Sequence, residues 1–426
     1  MIIDKIYQKY LNCNKVTIDT RKIEKDDLFI ALKGEKFDAN IFAEEALKKG
    51  AKYAIIDNPN YQIEGKTILV DNTLETLQKL ANYHRRKLQT KIIALTGSNG
   101  KTTTKELINT VLSKKYQTTA TLGNLNNHIG VPLTLLSFTN KTEIGIVEMG
   151  ANHKKEIAFL CEIAEPDFGY ITNFGKAHLE GFGGIEGVIE GKSELYQFLE
   201  KKGKTVFVNL NDSLQEEKTK NINRYTFSTN KKSDVAITDI KANPMVQMSY
   251  QGMTIVSHLI GVYNANNISA AITIGNYFSV ETEKIKNAIE EYIPSNNRSQ
   301  IIQKGSNEII LDAYNANPSS MNVAIENFKQ LNHNNKIIVL GDMFELGKES
   351  QIEHEKIISL FKNNDNIVCY FIGKDFFNNK IKQDNLYFFD TFESFSDGFI
   401  KNPPVDALLL IKGSRGMALE RTLELL

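Results

Sequence analysis

The stretch Thr96-Gly97-Ser98-Asn99-Gly100-Lys101-Thr102-Thr103-Thr104 combines the residue types that hold a polyphosphate. Glycines let backbone N–H groups approach anionic oxygens, and the start of a helix adds a favourable dipole. Lys101 can reach terminal phosphates, and the Thr102 hydroxyl can ligate Mg²⁺. The spacing is G-x-x-G-K-T, shorter than G-x-x-x-x-G-K-[ST], because Leu95 stands where the first glycine belongs. The plainer reading is a strand-to-helix turn with an exposed lysine.

Hard cation ligands follow at the ends of apolar runs. Glu148 closes Ile144-Gly145-Ile146-Val147, and His178 follows Ile171-Thr172-Asn173-Phe174-Gly175-Lys176-Ala177. Ligands of open α/β sheets bind outside the carboxyl ends of strands, so Thr102, Glu148 and His178 can converge on phosphates and Mg²⁺. Alternatively Glu148 caps a helix and His178 is structural. Lys192, in Gly191-Lys192-Ser193-Glu194, reads from spacing alone as a solvated helix lysine. Asp312-Ala313-Tyr314-Asn315-Ala316-Asn317-Pro318 puts an acid, amides and a proline at another strand end. Turn and capping chemistry explains it equally well. Lys412-Gly413-Ser414-Arg415-Gly416 follows the last apolar run; Arg415 could hold a carboxylate there, or the segment is a surface turn.

The elements that must position these groups are legible as periodicity. Short runs at 27–32, 53–56 and 67–70 predict strands, and Leu74, Leu77, Leu80 and Ala81 predict an amphipathic helix over 73–88. Ile92 to Leu95 predicts a buried strand, with a helix from Thr102 to about Lys115. Runs at 144–147, 168–171 and 205–208 alternate with helical segments, which argues a mostly parallel sheet. Residues 235–259 predict an antiparallel insert. A linker is expected at 293–297, followed by runs at 308–311, 336–340, 367–372, 386–389 and 407–411, a second doubly wound unit. The chain of 426 residues is thus expected to form three α/β domains, at 1–88, 89–295 and 296–426.

Composition narrows the partners. The 51 basic residues balance the 51 acidic ones, so a nucleic-acid coat is a poor fit. A hydrophobic fraction of 41% with 24% charged residues excludes a disordered chain, a collagen and a coiled-coil rod. Three separated cysteines imply neither a disulfide framework nor a zinc ribbon. No apolar run approaches the roughly 18 residues of a membrane span, and residues 1–14 have no signal-like apolar core. A cytoplasmic, monomeric protein is expected.

The order of these motifs, over essentially the whole chain, resembles the Mur ligase family, the ATP-dependent amide-forming ligases of peptidoglycan synthesis. The loop at 96–104 looks like that family's shortened P-loop. Glu148, His178 and Lys192 fall where the family keeps an Mg²⁺-binding glutamate and histidine and a lysine that becomes carbamylated. Gly261-Val262-Tyr263-Asn264-Ala265-Asn266-Asn267 resembles its G-x-H-N-x-x-N helix start beside adenine, and Arg298 and Asp312 resemble its nucleotide-contacting pair. Asp19-Thr20-Arg21 and the segment from Ala31 to Asp38 resemble a uridine-binding N-terminal domain. The segment from Asn124 to Pro132 resembles a muramoyl-peptide contact. The strings at 312–318 and at 340–347 (Leu340-Gly341-Asp342-Met343-Phe344-Glu345-Leu346-Gly347) resemble the branch that adds D-alanyl-D-alanine. Tyr263 stands where histidine is usual, Asp38-Ala39-Asn40 replaces Asp-Gly-His, and Gly191 precedes Lys192 where alanine is common.

The resemblance implies a small α/β UDP-binding domain, a central P-loop domain with a mostly parallel sheet, and a C-terminal Rossmann-like domain that binds the incoming dipeptide. The implied substrates are ATP, UDP-MurNAc-tripeptide and D-Ala-D-Ala, with Mg²⁺. Gly97, Ser98, Asn99, Gly100, Lys101, Thr102, Thr103, Asn264, Arg298 and Asp312 are implied on the nucleotide. Thr102, Glu148, His178 and Lys192 are implied on metal, and Lys101, Glu148, His178 and Lys192 in catalysis. Thr20, Arg21, Lys33, Asn126 and Asn127 are candidates for the UDP-sugar side, and Tyr314, Asn315, Ser414 and Arg415 for the dipeptide. The rivals are a ligase of the same chemistry with another substrate, and a nucleotide-regulated binding module without ligation. The strings at 19–38 and 312–318 argue against the first, and the retained metal-ligand set against the second.

Overall fold

The computed structural model describes residues 2–295, 297–362, 364 and 366–426. The expected linker position Asn296 lies outside the described residues. The first sheet has four parallel strands in the order β1-β2-β5-β6, namely Val16–Thr17, Leu28–Ile30, Tyr53–Ile56 and Thr67–Leu69. A hairpin of β3 (Lys33–Gly34) and β4 (Phe37–Asp38) stands beside it. The helix Thr73–Leu88 begins where the Asn72 side chain accepts the Glu75 N–H and ends at left-handed Gln89. Its buried face, including Leu77, Leu80 and Ala81, joins the core that continues under the central sheet.

The central sheet is wholly parallel, in the order β13-β12-β11-β10-β7-β9-β8. These strands are β7 (Lys91–Thr96), β8 (Thr118–Ala120), β9 (Ile144–Glu148), β10 (Phe168–Ile171), β11 (Thr205–Asn209), β12 (Asn223–Ser228) and β13 (Val235–Ala236). The central strands β7 and β9 are buried almost throughout, so each reads as a continuous apolar run. Strand β7 lies between β9 and β10, with Leu95 opposite Glu148 and Thr96 opposite Ile171. That register lines up the loops after all three strands, where the candidate phosphate and metal residues reside.

The antiparallel segment is real but starts later than its sequence suggested. Val235–Ala236 extends the parallel sheet, and only β14 (Thr238–Ala242), β15 (Met245–Tyr250) and β16 (Met253–Ile260) form the meander. It covers one face together with the helix Asn264–Tyr277. The last sheet runs β17-β18-β22-β19-β20-β21. Its strands are β17 (Gln300–Lys304), β18 (Asn307–Asp312), β19 (Lys336–Gly341), β20 (Ile367–Ile372), β21 (Leu386–Phe389) and β22 (Leu408–Lys412). Five of them are parallel; β17 returns antiparallel through the turn at Gly305, a hairpin edge that apolar-run reading missed. Among the described residues no helix is long and apolar enough to cross a membrane.

One tie joins the first helix layer to the central sheet. Arg85 donates to the carbonyls of Ala164 and Glu165 at 3.0 and 2.8 Å and to Asp167 Oδ2 at 3.0 Å. Asp167 also accepts the Ile92 N–H at the start of β7 and the Lys204 amine before β11. Arg85→Met is expected to lower stability by about 2 kcal/mol, the scale of lost charge-assisted bonds. A melting temperature unchanged from wild type would show that this tie carries no stability.

Candidate active site

Residues 97–104 wrap from β7 into the helix Lys101–Leu112. Gly97 has φ +143, and a Cβ there would lie 1.9 Å from Thr172 Oγ1; Gly100 has φ +79 and faces the Asn267 side chain. Both positions therefore require glycine. The loop is clamped from β10: Asn173 Oδ1 accepts the Asn99 N–H at 3.1 Å, while Thr172 Oγ1 and Asn173 Nδ2 donate to the Asn99 carbonyl. Ser98 Oγ donates to the Gly175 carbonyl at 2.6 Å. Lys101 curls back on the loop, its amine donating to the Gly97 carbonyl at 2.7 Å. Burial holds that amine below the usual lysine range, opposed by nearby Glu148.

Thr102 Oγ1 meets Glu148 Oε2 at 2.9 Å, and the other carboxylate oxygen accepts from Asn126 Nδ2 at 2.8 Å. Two hard oxygen donors thus face each other beside the phosphate loop, a donor set that suits Mg²⁺. Lys105 supports this corner from below. Its buried amine donates to the Thr121 carbonyl at 2.8 Å, and Thr121 Oγ1 accepts the Glu148 N–H.

Lys192 is not the solvated lysine that spacing alone suggested. It is 1% exposed, on the inner face of the helix Ile185–Lys201, and donates to the Ala151 carbonyl at 3.1 Å. Burial, reinforced by the charge of Lys101, holds its amine well below the usual lysine range. A neutral amine is the form that adds CO₂, so the environment suits a carbamate. His178, at φ +53, pairs through Nδ1 with the Glu345 carboxylate of the last sheet's loops.

Ser98 to Thr103, Glu148 and His178 border one cavity of about 1220 Å³ between the central and C-terminal sheets. Its wall takes in residues 98–103, Asn126, Asn127, Glu148 and His178 from the central part. Asn264, Arg298, Asp312, Tyr314 and Asn315 close the far side. The Arg298 guanidinium stacks on the Tyr314 ring at 3.7 Å, and its Nε is buried without a partner among the described residues. Asn264 is occupied in a chain of amides: it donates to the Ile260 carbonyl and accepts from Asn267, which accepts from Thr104. Tyr263 is half-buried on the cavity wall, its hydroxyl 2.9 Å from Ser299 Oγ, and desolvation of that hydroxyl pushes its phenol up.

Other expected residues stand outside that wall. Gly97 and Lys192 lie behind it. Thr20 and Arg21 sit in a 3-10 turn after β1, and Lys33 on the β3–β4 hairpin: Lys49 donates to the Thr20 carbonyl, Arg21 folds back on Asp19, and Lys33 lies 3.8 Å from Asp38. Asn127, on the wall itself, accepts the Ile129 and Gly130 N–H groups. Ser414 Oγ accepts the Phe344 N–H, and exposed Arg415 pairs with Glu420. Sequence reasoning passed over Lys412, which is 1% exposed and binds Asp312 Oδ2 at 2.6 Å and the Asn315 carbonyl. Its place at the end of β22 was the signal, by the same strand-end logic that found Asp312. Asn317, the N-cap of the helix Pro318–Gln330, was also missed as a contact; its Nδ2 reaches Asn99 Oδ1 at 2.7 Å across the two sheets.

Family descriptions match in three consecutive segments: "Mur ligase family, catalytic domain" at residues 12–85, "Mur ligase middle domain" at 95–275 and "Mur ligase, glutamate ligase domain" at 297–415. The UDP-N-acetylmuramoyl-tripeptide–D-alanyl-D-alanine ligase of Bacillus subtilis is 35% identical over 95% of this chain and 91% of its own. The chain belongs to the Mur ligase family. Within that family, the crystal structure of MurF from Acinetobacter baumannii superimposes with a TM-score of 0.87 at 30% identity, covering 99% of this chain and 97% of that one. MurF ligase from Thermotoga maritima, solved in complex with ADP, gives 0.83 at 27% identity over 98% and 97%.

The folded-state amine of Lys192 lies below its ordinary value of 10.5, so the unfolded chain binds the extra proton. Stability then rises with pH and is lost as pH falls. In bicarbonate-free buffer, Lys192→Met is expected to raise the melting temperature, by more at pH 6 than at pH 9. An equal gain at both pH values would contradict the neutral buried amine.

Proposed function

We propose that this protein is the ATP-dependent ligase that joins D-alanyl-D-alanine to UDP-N-acetylmuramoyl-tripeptide, releasing ADP and phosphate. The observation that carries the reading is the Thr102–Glu148 pair beside the phosphate loop, in a cavity closed by the C-terminal sheet. The full-length likeness to ligases of that name supports the substrates. A cytoplasmic monomer is part of the same reading. So is a division of labour among residues 1–88 for the UDP-sugar, 89–295 for ATP and 296–426 for the dipeptide.

A free carboxylate is a poor acyl donor, because its charge repels nucleophiles and oxide does not leave. Transfer of the γ-phosphoryl group to it makes an acyl phosphate; the dipeptide amine then attacks, and phosphate departs from the tetrahedral intermediate. The protein contributes position and charge. Loop N–H groups of residues 97–103 cradle the phosphates, and Lys101 leaves the Gly97 carbonyl to meet their terminal oxygens. Arg298, Asp312 and Asn264 orient the nucleotide, Asp312 being held by Lys412. Thr102, Glu148, His178 and, once carbamylated, Lys192 would hold Mg²⁺, whose charge would offset that of the phosphates and the substrate carboxylate. Thr20, Arg21, Lys33, Asn126 and Asn127 serve the UDP-sugar side. Tyr314, Asn315, Ser414 and Arg415 serve the dipeptide, with Arg415 leaving Glu420 for its carboxylate.

Phosphate release from ATP is expected only when both the UDP-tripeptide and D-Ala-D-Ala are present, with a pentapeptide product by mass. Release without the dipeptide would favour a nucleotide switch. Lys101→Ala is expected to lower turnover by about two orders of magnitude or more in folded protein, as loss of a phosphate-stabilising donor does elsewhere; near-normal turnover would remove the loop from catalysis. Lys192→Ala is expected to be impaired and partly rescued by short carboxylic acids, and full activity without them would count against the carbamate.

A further inference from the structure

The contact between His178 and Glu345 crosses from the central part of the chain to the C-terminal sheet. Both residues are non-glycine and both adopt left-handed backbone, at φ +53 and +61. Such conformations are uncommon away from glycine and collect where surrounding structure enforces a functional geometry. The two loops also meet through backbone, the Glu180 N–H donating to the Glu345 carbonyl at 3.2 Å. Gly347 closes the approach, since a Cβ there would lie 3.2 Å from Glu180 Cβ and Cγ.

The loop that carries Glu345 is held on its own sheet. Asp342 accepts the N–H groups of Asp375 and Phe376 at 3.0 and 2.9 Å. The Met343 N–H donates to His354 Nε2 and the Phe344 N–H to Ser414 Oγ, while Leu346 is buried. The cluster of Asp342, His354 and Asp375 has cation-binding residue types. Yet Asp342 and His354 are already engaged: His354 Nδ1 faces the Ser350 carbonyl at 2.7 Å, while its Nε2 and both Asp342 oxygens accept N–H groups. The cluster therefore serves to brace the loop. Glu345 alone projects from this braced loop onto the other domain's imidazole.

We propose that Glu345 is a positioning residue, supplied by the C-terminal domain, that orients His178 for metal only when the two domains are docked. This rests on the reading of His178 as a metal ligand. An ionised carboxylate only accepts, so it holds the proton on Nδ1, and in the neutral ring Nε2 is then the nitrogen that offers a lone pair. Among the described residues Nε2 has no hydrogen-bond partner. A carboxylate behind a ligating histidine fixes its tautomer and raises its basicity, and its loss costs about 10–100-fold in metal affinity or activity. Domain docking would thereby complete the metal site from a residue distant in sequence.

The test is Mn²⁺ binding, followed by electron paramagnetic resonance, to the full chain with a non-hydrolysable ATP analogue and UDP-MurNAc-tripeptide. Glu345→Gly suits a left-handed position, so it removes the carboxylate without adding backbone strain. It is expected to melt no lower than wild type, to weaken the last Mn²⁺ bound by about tenfold or more, and to lose turnover. Glu345→Gln keeps an acceptor for Nδ1–H and should fall between. His178→Ala should show the same Mn²⁺ loss as Glu345→Gly. Wild-type Mn²⁺ affinity in Glu345→Gly with loss in His178→Ala would overturn the positioning role and leave the ligand reading standing. Wild-type affinity in both would overturn both.

Discussion

The parallel pairing of β7 between β9 and β10 is the constraint on which the rest of the site depends. Neighbouring strands lie about 4.8 Å apart, so their carboxyl ends deliver three loops into one small volume. The phosphate loop, Glu148 and the segment from Thr172 to His178 come together for this reason, although they are scattered over some eighty residues of chain. The side-chain bonds that follow only refine this placement. Thr172 and Asn173 clamp the loop at Asn99, and Thr102 finds Glu148. Gly97 must lack a side chain because β10's continuation passes so close.

Charge balance is the second theme. Lys101, Lys105 and Lys192 lie on or behind one wall, and burial lowers the proton affinity of all three. Buried amines are unfavourable unless paired. In the ligand-free protein Lys101 and Lys105 rest on backbone carbonyls and feel the field of Glu148. On the proposed function, a polyanionic nucleotide would supply a counter-charge for Lys101, and a carbamate would convert Lys192 into an oxygen ligand.

The C-terminal sheet completes the other wall through polar contacts, beside a buried apolar cluster that takes in residues of both parts. Asn317 reaches Asn99, Ser319 accepts the Lys176 N–H, and Lys176 pairs with Glu353. Contacts of this kind are individually weak and exchange readily with water. On the proposed function, they would suit a surface that opens for ATP and the UDP-linked substrate and closes around them.

What the amino-acid sequence determined by itself was everything encoded locally. The helix 73–88 was legible from its apolar stripe, β7 and the phosphate loop from an apolar run ending in glycines, and the insert expected at 235–259 from its broken short strands, though its first two residues belong to the parallel sheet. Glu148 and Asp312 were expected together because a polar residue at the end of a buried strand has a predictable address, and both line the cavity. Only the tertiary structure decided what depends on packing between distant segments. The same helical spacing that makes Lys192 look solvated buries it once the helix Ile185–Lys201 lies against the sheet. Lys412 gains meaning only through Asp312, one strand away in space and 100 residues away in sequence. Glu345 was visible in its string but not its partner, because a contact across two domains leaves no periodicity in either.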